Sequence, residues 1–266
     1  MNHLMDDLTS RGPVSKNRMM TGVVPHTRPG PLEMALEKAW SQFEHQSMEP
    51  RRLWQRFLLG RRFHLRFLDR SEMTIEVPFG TLPDCNNCVE LCCTGPNAIV
   101  SLRLKDIAVL VDAGLGSYIH RSKETKLEIL QNTHAASLAR DSIFYSAFPT
   151  LQRDHTGTCA LLGPQLKCSV FPNWPLSCAR YPYALDSENR VIFLAKGCSS
   201  HRRISVDDAP DSIQKLVQAS IDCYNERIKD ILLLHLALDN LNELGFLRYL
   251  NLSPQFLKKH LKGTPA

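Results

Sequence analysis

The chain has 266 residues, 43% hydrophobic and 22% charged, with a formal net charge of +5. That is enough apolar material for an ordinary core, so the chain does not need cross-links merely to fold. The mild positive charge argues neither for nor against a nucleic-acid partner.

Cysteine is the informative residue, because nine of them is about twice the usual number for such a chain. The first residues, MNHLMDDLTSRGPVSKNRMM, contain early acids and no apolar run of signal-peptide length, and no stretch of about twenty apolar residues occurs anywhere. The expectation is a protein of the reducing cytosol without a transmembrane span. Clustered thiols in that compartment more often bind metal than form disulfides.

In chain order, residues 1–30 mix Pro, Gly, Ser and Arg with four methionines and show no periodicity, so they read as a disordered arm. Residues 31–82 read as a helix followed by a β-hairpin. The helix is expected over PLEMALEKAWSQFEHQ, where Pro31 suits a first helical position, Leu32, Leu36, Trp40 and Phe43 form a stripe, and Pro50 is the stop. RRLWQRFLLGRRFHLRFLDR, residues 51–70, sets seven arginines against the single Asp69. Its preferred reading is a short helix and then a solvated strand through Phe63, Leu65 and Phe67, paired with a second strand through Met73, Ile75 and Val77. Its alternative reading is a basic strip that meets nucleic acid or an anionic membrane surface.

Residues 83–205 hold eight of the nine cysteines, in two groups of four. Cys85, Cys88, Cys92 and Cys93 follow the pattern C-x2-C-x3-C-C. On a short helix between Pro83 and Gly95, the first three share one face, and Cys93 lies about 100° off it. Adjacent thiols do not easily serve one small ion, but they can serve two neighbouring centres or two irons of one cluster. Cys159, Cys168, Cys178 and Cys198 stand far apart in a Gly- and Pro-rich stretch where turns and extended pieces are expected. Such a stretch has little core of its own, so metal–thiolate bonds would supply folding energy. Lys167, Arg180, Lys196, Arg202 and Arg203 are close in sequence and could offset thiolate charge, while His155 and His201 read as polar loop residues. Cys223, alone in a helical pattern, reads as a packed thiol.

Zinc and iron–sulfur clusters use the same thiolate ligands. The adjacent Cys92–Cys93 pair gives iron–sulfur a slight preference over isolated zinc. The segments CNNCVELCC, LRLKDIAVLVDAG and GTCALL…LKCSVFPNWPLSCARYP…KGC resemble the YkgJ-type cysteine-cluster family over roughly residues 83–200. Trp174 stands where that family usually has arginine, Ala179 separates Cys178 from Arg180, and the first group reverses the usual C-x3-C-x2-C-C spacing. The resemblance implies a zinc- or iron-chelating domain ligated by Cys85, Cys88, Cys92, Cys93, Cys159, Cys168, Cys178 and Cys198. One branch of the family includes flagellin lysine N-methylases, which implies protein methyl transfer as an alternative.

VLVDAGLGS, residues 109–117, superficially looks like the glycine-rich loop of an S-adenosylmethionine site. Leu104, Ile107, Leu110 and Val111 repeat at helical spacing instead, so a helix closed by Gly114 is expected. No P-loop or Ser–His–Asp set can be picked out. Residues 206–266 read as C-terminal helices, one long or two shorter, ended by Gly245 and followed by a short helical tail after Pro254. The expected fold is mainly α with a small β portion, an irregular α+β cysteine-cluster domain organised by metal and flanked by helices. A protein partner or substrate is compatible with it; a nucleic acid is disfavoured.

Overall fold

A computed structural model describes residues 28–76, 81–83, 93–94, 100–121, 147–163, 168–170, 173–194, 201–203 and 209–261. The fold is mainly α with small sheets, an α+β arrangement as expected. Among the described residues no helix is long and apolar enough to cross a membrane.

Helix α1, Pro31–Gln46, buries Leu36, Trp40 and Phe43 along its expected stripe. Its N-terminus has no cap of its own, since Gly30 precedes it. The carboxylate of Asp112 supplies the missing acceptor, taking the N–H groups of Leu32 and Glu33 at 3.0 Å. Gly30 is required by that approach: a Cβ there would lie 2.3 Å from Asp112 Oδ2. Asp112 ends helix α3, Leu104–Asp112, so the two helices are clamped end to start. The glycine-rich stretch therefore folds as a helix end, closed by Gly114 at φ 73° and by the Leu115 N–H donating to the Leu110 carbonyl.

Helix α2 runs Pro50–Phe63, so Pro50 begins a second helix instead of only stopping the first. The strand expected through Phe63, Leu65 and Phe67 does not form. Phe63 is buried as the last residue of α2, four places after Leu59, because helical spacing puts both against the core. His64, in the left-handed region at φ 52°, then terminates the helix. The extended backbone beyond it is held by a side chain: Asn225 accepts from the Leu68 N–H and donates to the Leu68 carbonyl, both at 2.9 Å.

Strand β1, Thr74–Glu76, consequently pairs not with a neighbouring hairpin arm but in parallel with a strand far downstream. That partner is β6, Val191–Leu194, whose other edge carries β5, Tyr183–Asp186, in an antiparallel hairpin. Strands β2, Thr81–Pro83, and β7, His201–Arg203, make a separate antiparallel pair, as do β3, Ile119–His120, and β4, Thr150–Leu151.

After the one-turn helix α4, Leu176–Ala179, the chain reaches α5, Ala209–Leu236, which spans both apolar clusters. Val217 and Ile221 pack with Leu68, Tyr183 and Ile192 under the three-stranded sheet. Two turns on, Ile228, Ile231, Leu232 and Leu234 enter the main core formed with α1, α3 and the following helix α6, Leu238–Glu243. Gly245 at φ 77° ends α6, and α7, Pro254–His260, forms the tail. Cys223 is buried in α5, as a packed thiol should be.

Candidate functional site

The segment after Ala147 folds from turns. Asp154 Oδ1 accepts the N–H groups of Thr156 and Thr158, at 2.8 and 2.9 Å, and Gly157 takes a positive φ of 83°. This turn brings Arg153 opposite Cys159, and a second bridge sets Leu162 opposite Cys168. The Ser169 N–H donates to the Leu161 carbonyl at 2.9 Å, which places Cys168 beside the Leu161–Leu162 step. Leu161 and Val170 are buried in the main core, so the turns are anchored to it at both ends.

Cys93 joins this assembly from the first cysteine run. Its carbonyl accepts the Cys159 N–H at 2.7 Å, across 66 positions of sequence (159 minus 93). Cys159 belongs to the main core, and Cys93 and Cys168 pack against it. Cys178 lies on α4, which ends a Pro-rich approach where helix was not expected; Pro175 starts the turn and its carbonyl accepts the Cys178 N–H at 2.8 Å. Burial pushes the Cys178 thiol well up, and the approach of Cys93, Cys159, Cys168 and Asp106 pushes it further. Burial raises Cys159 as well, with Cys93 adding and Arg153 opposing. The four described thiols of the expected ligand set are thus electrostatic neighbours. They unite one member of the first sequence group with three of the second.

Cys85, Cys88, Cys92 and Cys198 lie outside the described residues, as does most of the helix expected from Pro83 to Gly95; of that segment, Pro83 belongs to β2 and Cys93–Thr94 to a turn. Among the described residues, no three side chains of His, Cys, Asp or Glu converge as the ligands of one ion. His155 is exposed on the turn, as a polar loop residue should be. Of the cations expected nearby, Arg180 Nη1 donates to the Tyr183 carbonyl at 3.1 Å. Lys167 and Lys196 lie outside the described residues.

Sequence reading missed the charged groups beneath the thiols. Asp106, in the first turn of α3, is buried; its Oδ1 accepts the Leu176 N–H of α4 at 2.9 Å and its Oδ2 the Arg103 N–H at 2.8 Å. Burial raises its carboxyl to about 6, against those two N–H groups and the Arg103 charge. Asp230 of α5, also buried, accepts the Leu104 N–H at 3.4 Å, and burial holds its carboxyl well above the usual range. Arg227, one turn before it, is lowered to about 10 by burial and by Arg103. Cys223 feels Arg103 and Arg180 as well. A signal existed for Asp230: it lies four residues before Leu234, on the face of α5 that enters the core.

Chemically, four soft sulfurs from two distant segments lie in one neighbourhood, with Arg153 beside one of them, and no three of them converge on a common point. Tetrathiolate zinc and cysteine-ligated iron–sulfur clusters both take such a set. Compared with known proteins, the chain matches no family model, no curated protein and no solved structure.

Proposed function

We propose that the chain is a metal-binding protein in which thiolates hold zinc or an iron–sulfur cluster. The observation that carries this reading is the Cys159 N–H bond to the Cys93 carbonyl, with Cys168 packed on the same core and Cys178 near enough to be influenced by all three thiols. Protonated thiols gain little from such crowding, whereas a metal stabilises them as thiolates and ties two remote segments together. Ligation would draw the four sulfurs together from the looser arrangement described above. Arg153 offsets part of the net negative charge of a tetrathiolate site.

Cys92, directly before Cys93, belongs in this reading to a second set with Cys85, Cys88 and Cys198. Adjacent cysteines serving neighbouring centres favour an iron–sulfur assembly of the YkgJ type over one isolated zinc. Bound metal would supply electron-transfer capacity in the iron–sulfur case and fixed structure in the zinc case. Methyl transfer gains no support from the glycine-rich stretch, which is occupied as the end of α3 and the clamp on α1.

Anaerobic purification with metal analysis and a visible spectrum tests the proposal. Iron with acid-labile sulfide and a brown colour is expected, and Cys178→Ser should lower the metal content. A colourless protein carrying zinc would overturn the iron–sulfur preference. A metal-free protein with all its thiols titratable would overturn the proposal as a whole.

A further inference from the structure

Helix α2 turns an apolar face to solvent. At about 100° per residue, Leu53, Trp54, Phe57 and Leu58 fall within one arc of about 140°. All four are exposed, Trp54 to 61% and Phe57 to 51%, and the two rings stack 5.5 Å apart. Met48, just before the helix, extends the patch and is 68% exposed. The protein-facing side holds Leu59 and Phe63. It also holds Arg52, which donates to Gln46 Oε1 at 2.8 Å, and Arg56, which donates to Ser47 Oγ at 3.2 Å. Arg51, Arg61 and Arg62 remain exposed on or beside the apolar arc, and no acid occurs from Pro50 to Phe63.

From this arrangement we infer that α2 is a docking surface for an anionic lipid bilayer, lying in the interface with its apolar arc inward and its arginines on the phosphates. An interfacial helix needs an apolar arc with Trp, Phe and Leu, basic flanks and little else, and α2 presents these together. Its arc is a convex ridge, which suits a deformable medium and would require a matching groove on a protein. A second copy of the chain fits poorly, because two such helices would oppose arginines with arginines. A nucleic acid would use the arginines and the rings but gains nothing from Leu53 and Leu58. The inference does not depend on the metal centre.

The test is co-sedimentation of the full chain with vesicles of phosphatidylcholine alone or mixed equally with phosphatidylglycerol. Binding to the mixed vesicles, weakened by salt and absent from the neutral ones, is expected. Trp54→Ser with Phe57→Ser should lower that binding by about tenfold or more, and Arg51→Glu with Arg61→Glu should also weaken it. These positions are exposed, so an unchanged melting temperature checks that the variants fold. Brominated lipid should quench the emission of the parent chain and quench Trp54→Phe much less. The inference fails if the mixed vesicles do not bind or if binding survives Trp54→Ser with Phe57→Ser. It fails equally if that double variant instead abolishes a dimer seen by sedimentation velocity, or the binding of an RNA oligonucleotide.

Discussion

Helix α3 and the thiol-bearing turns of 147–183 pack against each other, yet different forces hold them. Leu104, Ile107, Ala108 and Leu110 put α3 into the core chiefly by burial, and its position is shared among many side chains. The turns reach the same core through Ala147, Phe148, Leu151, Cys159, Leu161 and Val170, scattered along the chain instead of aligned on one helix face. Their shape depends on single backbone bonds, on Asp154, and on the carboxylate of Asp106 reaching up from α3. A region held by burial yields gradually to substitution; one held at points can be unhooked by the loss of one atom.

The largest test of that contrast is metal removal. Structural zinc contributes on the order of 10 kcal/mol to small thiolate sites. Chelation under reducing conditions should therefore strip hydrogen-exchange protection from the amides of Cys159, Ser169 and Cys178 while leaving α3 and α5 protected. Loss of protection in α5 at the same time would show that the two regions are not separable. In the opposite sense, Ile107→Ala should cost about 3 kcal/mol of global stability, read by denaturant melting, without lowering metal content. Asp106→Ala lies at the seam, since it strands the Arg103 and Leu176 N–H groups. A loss of about 2 kcal/mol is expected, with faster exchange at Leu176 than at Ile107.

Smaller effects sharpen the scaffold side. Asp112→Ala removes the borrowed cap of α1 and should cost about 1 kcal/mol, visible as fraying of Leu32 and Glu33 by exchange. The ring of His235 lies 5.4 Å from Phe63, 5.3 Å from Phe256 and 5.0 Å from His260. Burial, reinforced by His260, Arg62 and Lys259, lowers its pKa to about 4 from 6.5. The unfolded chain thus binds the proton first, so this contribution to stability is whole above pH 6.5 and is lost as pH falls towards 4. His235→Phe should flatten the urea-melting midpoint across that window; an unchanged slope would show that other groups set it.

Helices were the legible part of the sequence. The stripe Leu36–Trp40–Phe43 and the Gly114 and Gly245 ends are local patterns, and they appear where periodicity and glycine chemistry put them. Alternation misled at Phe63, because a residue shared by a helical and a two-residue period goes to whichever face can be buried. The start of α4 was illegible: Asp106, 70 positions away, accepts its Leu176 N–H. Capping signals are sought within one turn, so a cap borrowed across the fold leaves none. The approach of Cys93 to Cys159 was not legible, because their contact is a backbone bond that spacing does not encode.

Helix α5 has a mechanical implication. Its first half underlies the three-stranded sheet and its second half fills the helical core, with Tyr224 packed against both. A rigid rod common to two clusters passes the loss of either one to the other, because fraying at Ile221 removes the turn that precedes Ile228. The sheet and the helical core should therefore melt as one cooperative unit, with a single transition when followed by tyrosine fluorescence near the sheet and by helical circular dichroism.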